Sequence, residues 1–387
     1  MSVNIAGTGL TKISEHWSKS LIDLAVMSGR QALSESDISP DMIIIGNMLS
    51  SYASNQENLG SIISEKLGLQ GTTTFKIESS SCSGAMAVHV ANNILNGKDR
   101  NTSGINSILV IGVEKMSDLS PSQLVQAISL GESYEYLQFF GVSMTSLYAL
   151  FSNLYMERYN ISKNDLSYFP ALSHKNSVSC KHAQFNREFS VESISKSPIV
   201  SSPISLLDCS PIGDGSAAVV LTRSESSNNS NPNTVKILSS SASNSPVNFF
   251  ERSDMLKFYS TEQCISNALS ESQIKLSDID LIEVHDVVPA ITANILESLG
   301  FSKPGKAVSD VISGKYTLDS RPFLSTSGGL KARGNPLSAT GIYQIIEITR
   351  QLQNRSDNNI NKTQIGLSQN MSGIDSNSVI HILGVVN

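Results

Sequence analysis

The sequence predicts an α/β protein made of two similar halves, and three observations carry that reading. Short β-like runs alternate with amphipathic stretches of helical period, as in strands interleaved with helices. The order strand, helix, strand, helix, strand, glycine turn, helix, strand runs once up to about residue 224 and again from about 234. The first run is interrupted at about 118–205 by a stretch with helical signals and few strand signals, which reads as an insertion covering a site. The halves share little identity, so the duplication rests on element order. Its period is too long for a solenoid.

The elements follow in chain order. VNIAGTGL (3–10) reads as a strand, and SLIDLAVMSGRQALSES (20–36), with apolar spacing near 3.6, as a helix. DMIIIGNML (41–49) is a buried strand and NLGSIISEKLGL (58–69) a helix. FKIESS (75–80) leads into SCSGAMAVHVANNILNG (81–97) as a strand–turn–helix unit, and SILVIGVEK (107–115) is another buried strand. MTSLYALFSNLYMERY (144–159) is a helix within the insertion, and SAAVVLTRS (216–224) returns to strand. The polar segment SESSNNSNPNT (224–234) reads as a linker. Beyond it come VKILSSSAS as strand, STEQCISNALSES as helix, DIDLIEVHDVV as strand and PAITANILESLG as helix. FLSTSGGLKARGNPLSATGIYQIIEITRQL combines a strand, a glycine-rich loop and a helix, and TQIGLSQNMSG and SVIHILGVV close the chain as strands.

Composition excludes several functions. The 387 residues are 40% hydrophobic, enough for a sizeable core, so global disorder is excluded. A net charge of −6 with no basic block argues against nucleic-acid binding. The longest apolar runs fall far short of the ~20 residues of a membrane helix. The beginning of the chain shows neither a basic region nor an apolar signal core, which predicts a cytoplasmic protein. Four scattered cysteines without CxxC spacing predict no metal site and no disulfide scaffold.

Three segments carry candidate chemistry. In ESSSCSGAMAVHVANNIL (78–95), Cys82 falls at a helix N-terminus, where free amides and the helix dipole favour a thiolate. The small residues Ser83, Gly84 and Ala85 would let a substrate approach the backbone. In STSGGLKARGNPLSATG (325–341), a backbone-rich loop opens onto a helix and could cradle an anion. In IEVHDVV (282–288), His285 and Asp286 end a predicted buried strand, where open α/β sheets keep their sites. A buried structural cysteine, an ordinary loop–helix junction and a core histidine are the plain alternatives.

In this order the segments resemble one family, the thiolases, and within it the sterol-carrier-protein-type and archaeal acetoacetyl-CoA thiolases. SCSGAMAVHVA resembles the nucleophile loop, and GVEKMSD the Gly-x-Glu-x-Met-Ser strand end. DCSPIGDGSAAVVL (208–221) resembles the segment that closes the first half. EVHDVV resembles the His-Asp motif, SGGLKARGNPLSATG the Gly-His-Pro motif, and SQNMSG, less well, the closing glycine turn. The resemblance spans residues 1–387 and implies a thiolase-like five-layered αβαβα fold. Its halves would be 1–230 and 231–387, with a loop domain at about 118–205 that binds coenzyme A. It implies acyl transfer between acetoacetyl-CoA plus CoA and two acetyl-CoA. Coenzyme A thioesters would be substrates, with no permanently bound cofactor. It implies a homodimer or homotetramer. It also admits a small acyl-CoA-binding partner protein and a downstream synthase, as in the archaeal branch.

The resemblance also assigns roles. Cys82 would take the acyl group. The backbone amides of Cys82 and of the closing turn, at Ser372 or Gly373, would form an oxyanion hole. His285 would polarise the thioester oxygen of the second substrate, and Ser327, Gly328 and Gly329 would bind substrate.

Two positions depart from the family. Asn335 stands where the family has the Gly-x-Pro histidine, and asparagine takes no proton at neutral pH. The acid/base cysteine is missing both from the closing turn, QNMSG, and from the position of Val287. Cys180, Cys209 and Cys264 lie in other segments. Cys82, His285 and Asn335 in chain order are similar to the triad of the type III ketoacyl synthases, whose decarboxylating condensation needs no methyl deprotonation. Loss of the histidine also fits a low-activity subunit of a multi-protein complex. The SGGLKARG context and the His-Asp motif pull back toward thiolase.

Other residues receive plain readings: His89 as helix packing, His174 and His182 as surface groups in preference to contacts with coenzyme A phosphates, Asp214 as a turn residue, and His16 and Trp17 as N-terminal packing. Lys331 and Arg333 are read as either solvated or steering an anionic cofactor.

Overall fold

A computed structural model describes residues 3–97, 104–224, 234–360 and 362–385. All but the ends of the expected linker, 224–234, lies outside the described residues. The first run of strands comprises β1 (Val3–Leu10), β2 (Met42–Gly46), β3 (Thr73–Ile77) and β4 (Ser107–Glu114). After a short hairpin, β5 (Ile199–Ser201) and β6 (Ile204–Ser205), it ends with β7 (Gly215–Arg223). The second run comprises β8 (Val235–Asn244), β9 (Leu281–Glu283), β10 (Phe323–Leu324), β11 (Ile365–Ser372) and β12 (Asn377–Val385).

The spatial order is β10-β9-β11-β12-β8-β1-β7-β4-β2-β3. Read outward from the centre, both sets run alike: β1, β7, β4, β2, β3 on one side and β8, β12, β11, β9, β10 on the other. The directions agree too. β1/β7 and β7/β4 are antiparallel, and β4/β2/β3 parallel. β8/β12 and β12/β11 are antiparallel, and β11/β9/β10 parallel. Among the described residues the two sets pair, as strands, at Val3↔Ile237 and Asn4↔Lys236.

Helices cover both faces of each set, so strands such as β2 and β4 are buried throughout and read as continuous apolar runs. Helix Leu21–Ser36 starts at a capping box: Ser20 Oγ accepts from Asp23 N at 3.1 Å, and Ser20 N donates to Asp23 Oδ2 at 2.9 Å. With helix Leu59–Leu67 it packs Leu24, Ala25 and Ile63 against Ile43, Leu109 and Ile111 on one outer face. Helices Ser83–Asn96 and Thr340–Leu352 form the middle layer, sharing a core with Val110 of one set and Ile237 and Leu383 of the other. The second outer face carries helices Tyr259–Ser272 and Pro289–Ser298, joined by insertion helices Met144–Tyr159 and Tyr168–Ser177. The layers are αβαβα.

The middle layer explains the small residues after Cys82. A Cβ on Gly84 would lie 2.4 Å from Ser338 O, and one on Gly341 2.6 Å from Ala85 Cβ. Gly84 and Ala85 therefore admit the neighbouring helix and its lead-in, not a substrate. The structure also shortens one expected strand. DIDLIEVHDVV is extended only through Glu283, whose partner in β11 is Ser368. Beyond it Asp286 N bonds to Val284 O and Val287 N to His285 O, both at 3.0 Å. These i→i+2 contacts turn the chain tightly and leave His285 on a loop past the strand end.

Candidate active site

A cavity of about 80 Å³ opens between the insertion and the ends of the second set of strands. Its wall includes Glu132, Cys209, His285, Asn335 and Gly373. The structure thus brings together three of the expected site residues, His285, Asn335 and Gly373. Cys82 lies behind this wall, with Ser80 and Ser81 facing the cavity instead.

Cys82 is fully buried at the start of helix Ser83–Asn96. Its thiol points to Asn377 O at 3.7 Å. Burial pushes the thiol well above the ordinary cysteine range, against a hydrogen bond from Ser372 that lowers it. The expected thiolate is corrected on this point: with no cation beside the sulfur among the described residues, desolvation outweighs the helix terminus. The Cys82 amide is engaged as well, donating to Ser79 O at 3.0 Å and to Ser372 Oγ at 3.3 Å. Ser372 Oγ in turn donates to Ser79 O at 2.6 Å. Gly373, at φ +55°, makes the turn between β11 and β12 and faces the cavity.

The proton on His285 can be assigned. Thr340 Oγ1 donates to Leu337 O at 2.6 Å, so toward Asn370 it accepts, and Asn370 Nδ2 donates to it at 3.2 Å. The same Nδ2 lies 3.1 Å from His285 Nδ1, which must therefore accept. This relay assigns the proton to Nε2. Burial pulls the imidazole down to about 3, so the ring is neutral near pH 7. A neutral Nε2–H is a donor and a poor base. Asn370 escaped the sequence reading, although polar Gln369 and Asn370 in a fully buried stretch of β11 were a signal.

Asn335 is held by Ser210. Its Nδ2 donates to Ser210 Oγ at 3.2 Å, and its Oδ1 accepts from Leu337 N at 3.1 Å. Cys209, next to Ser210, lines the same cavity, which corrects its dismissal by segment. Burial pushes its thiol up to about 11.

The glycine loop has a different place from the one expected. Ser327, Gly328 and Gly329 are buried away from the cavity. Ser327 Oγ donates to Glu347 Oε2 at 2.5 Å. A Cβ on Gly328 would meet Ser177, and one on Gly329 would lie 2.2 Å from Asp286 Oδ2. These glycines let the loop pack on helix Tyr168–Ser177 and on Asp286. Neither Lys331 nor Arg333 is solvated. Arg333 is fully buried, 3.3 Å from Glu283 and 3.8 Å from Glu347. Burial pulls Lys331 down to about 8, against the attraction of Cys209, Asp286 and Asp208.

The other plain readings divide. His89 packs as expected, with Nδ1 2.8 Å from Ser240 Oγ. His174 and His182 are buried, not surface groups. His182 pairs with Glu347, whose carboxyl is held down at about 2 because His182, Arg333 and Ser327 outweigh its burial. Asp214 is more than a turn residue: it accepts from Met116 N, Ser117 N, Ser117 Oγ and His16 N and pairs with Lys115. Trp17 is 66% exposed, with Lys115 Nζ 5.9 Å from its ring, so it does not pack into the core.

Comparison with known proteins decides the family. Residues 3–225 match the family model for the thiolase N-terminal domain, and residues 241–385 that for the thiolase C-terminal domain-like family. The chain belongs to the thiolase family. Like the family, it is an acyltransferase. This thiolase is 30% identical over 385 residues to the acetyl-CoA acetyltransferase of Methanothermobacter thermautotrophicus, covering 98% of each chain. It is 26% identical over 369 residues to sterol carrier protein 2 of Bos taurus, covering 91% of this chain and 66% of that one. A solved structure described as an Ltp2-ChsH2(DUF35) aldolase shares the fold at TM-score 0.85 and 19% identity, over 99% of this chain and 98% of that one. Among the described residues no helix is long and apolar enough to cross a membrane.

Proposed function

We propose that this thiolase interconverts acetoacetyl-CoA plus CoA with two acetyl-CoA through an acyl-enzyme on Cys82. The observation that carries the reading is the fixed Nε2–H of His285. A neutral donor held at the cavity wall stabilises the oxygen of a thioester as negative charge develops there. Asn335 Nδ2, anchored by Ser210, is a second donor on the same wall. The small cavity suits an acetyl-sized group. Cys82 sits one turn-residue from the cavity, and a rotation of its side chain away from Asn377 O would present the sulfur. Thiol ionisation then accompanies thioester binding. The reading includes a cytoplasmic homodimer or homotetramer with halves at 1–230 and 231–387. Thiolysis of acetoacetyl-CoA by free CoA tests it, followed by loss of the enolate absorbance. Turnover that vanishes in Cys82→Ala supports the reading. Turnover unchanged in Cys82→Ala sinks it.

A second reading draws on the absence of a base from His285 and Asn335, both of them donors. A decarboxylating, ketoacyl-synthase-like condensation requires no base for its carbon nucleophile. Release of carbon dioxide from malonyl-CoA, without acetoacetyl-CoA thiolysis, would favour it. A third keeps the chain as a low-activity subunit beside a small acyl-CoA-binding partner. Its support is the withdrawn, protonated Cys82 thiol, and activity that arises only with a co-purified partner would favour it.

A further inference from the structure

Condensing two acetyl thioesters requires removal of a proton from a methyl carbon, and the expected site residues offer no group to take it. His285 Nε2 already carries its proton, and its Nδ1 is engaged by Asn370. Asn335 does not titrate. Cys209 and Tyr148 face the cavity, but burial pushes both upward, Cys209 to about 11. One further titratable side chain lines the cavity: Glu132, in the insertion, just beyond helix Pro121–Ser129.

Glu132 is placed by backbone contacts. Its N–H donates to Ser129 O at 3.0 Å, and its carbonyl accepts from Gln138 Nε2 at 2.6 Å. That leaves the carboxylate over the closing turn. A Cβ on Gly373 would lie 2.7 Å from Glu132 Oε1. The preceding residue, Ser372, is bonded to the Cys82 amide. The carboxylate thus stands beside the turn that holds the nucleophile, on the wall it shares with His285. Among the described residues it has no hydrogen-bond partner. The groups around it are Arg252, Tyr148, Cys209 and His285. Burial pushes its carboxyl up to about 7, against the pull of Arg252. A base titrating near the working pH combines availability with proton affinity.

We propose that the Glu132 carboxylate takes the proton from the methyl carbon of an acetyl thioester in the cavity, and returns it to that carbon in the reverse direction. The inference rests on the thiolase reading above. As the C–H bond breaks, its electron pair moves to the thioester oxygen, held by His285 Nε2–H. The enolate carbon then attacks the acetyl carbonyl on Cys82. A carbon–carbon bond forms, the carbon–sulfur bond to Cys82 breaks, and the proton on Glu132 neutralises the departing thiolate. The products are acetoacetyl-CoA and free Cys82.

The test uses acetyl-CoA in D2O with the whole protein. Deuterium uptake into the methyl group is read by mass spectrometry, alongside acetylation of Cys82 on the same samples. Acetylation needs no carbon acid. In Glu132→Gln, uptake per acetylated Cys82 should fall by at least about 100-fold. Glu132→Asp should retain more uptake than Glu132→Gln. The wild-type rate should rise with pH through about 7, and that rise should be missing in Glu132→Gln. Uptake in Glu132→Gln as fast as in wild type would overturn the proposal. So would a wild type that acetylates Cys82 yet takes up no deuterium. A wild type that never acetylates Cys82 would instead overturn the thiolase reading, and the role of Glu132 with it.

Discussion

The two halves build the same polar contact at the same place and finish it differently. In the first half, Glu114 ends β4 and reaches Asn47, the residue after β2. In the second half, Asn370 in β11 reaches His285, just past β9. Both also touch the lead-in to the helix Thr340–Leu352: Ser338 donates to Glu114 at 2.7 Å, and Thr340 accepts from Asn370 at 3.2 Å. Glu114 accepts from Asn47 Nδ2, Met48 N, Leu49 N and Ser338 Oγ, so its carboxylate is saturated. Among the described residues the His285 ring has one hydrogen-bond partner, Asn370, and the residue lines the cavity. The difference teaches how one backbone pattern serves two ends. Where every donor and acceptor is matched, the centre is structural. Where one polar atom is left open toward a cavity, it can act on a ligand.

Breaking the closed centre should have the largest effect. Glu114→Ala strands several buried donors at once and should cost about 3–5 kcal/mol in urea unfolding. A loss below about 1 kcal/mol would mean the centre is not structural. Next comes the open centre. Asn370→Asp keeps size and shape but turns the donor to His285 into an acceptor. The ring proton would move to Nδ1, leaving Nε2 without one, so thiolysis by the folded variant should fall by about 100-fold. An unchanged kcat would show that the tautomer does not matter. The smallest effect is a pH dependence. Burial raises the Glu114 carboxyl to about 7, against its four donors. A raised carboxyl binds its proton more tightly in the folded state, so its contribution to stability is present below the unfolded value and falls as pH rises through about 7. Relative to Glu114→Gln, the wild type should lose about 2 kcal/mol between pH 5 and pH 7. A constant difference would contradict the shift.

The fold was legible because its signals are local. MIIIG and SILVIGVE are too apolar for a half-exposed strand, and the apolar spacing of SLIDLAVMSGRQALSES marks a helix before any tertiary contact exists. The β5–β6 hairpin was missed because its strands, of three and two residues, are too short to show a period. The site was legible only as a set of residue types. His285 and Asn335 share one wall, as their motifs suggested, but Glu132 and Cys209 reach it from the insertion and its exit. Nothing in GESYEY or DCSPIG marks a cavity wall.

What the sequence determined by itself is the alternation of elements and its repetition, because apolar periodicity acts within one segment. It also determined which chemistry could be present, a cysteine at a helix start and a histidine after a strand. The tertiary structure alone decided the state of those groups. Burial from every side keeps the Cys82 thiol protonated, and the Leu337–Thr340–Asn370 relay places the His285 proton on Nε2. It also buried Lys331 and Arg333 and set Glu132 against the closing turn. Desolvation and hydrogen-bond direction depend on neighbours tens to hundreds of residues away in the chain, and no local pattern records them.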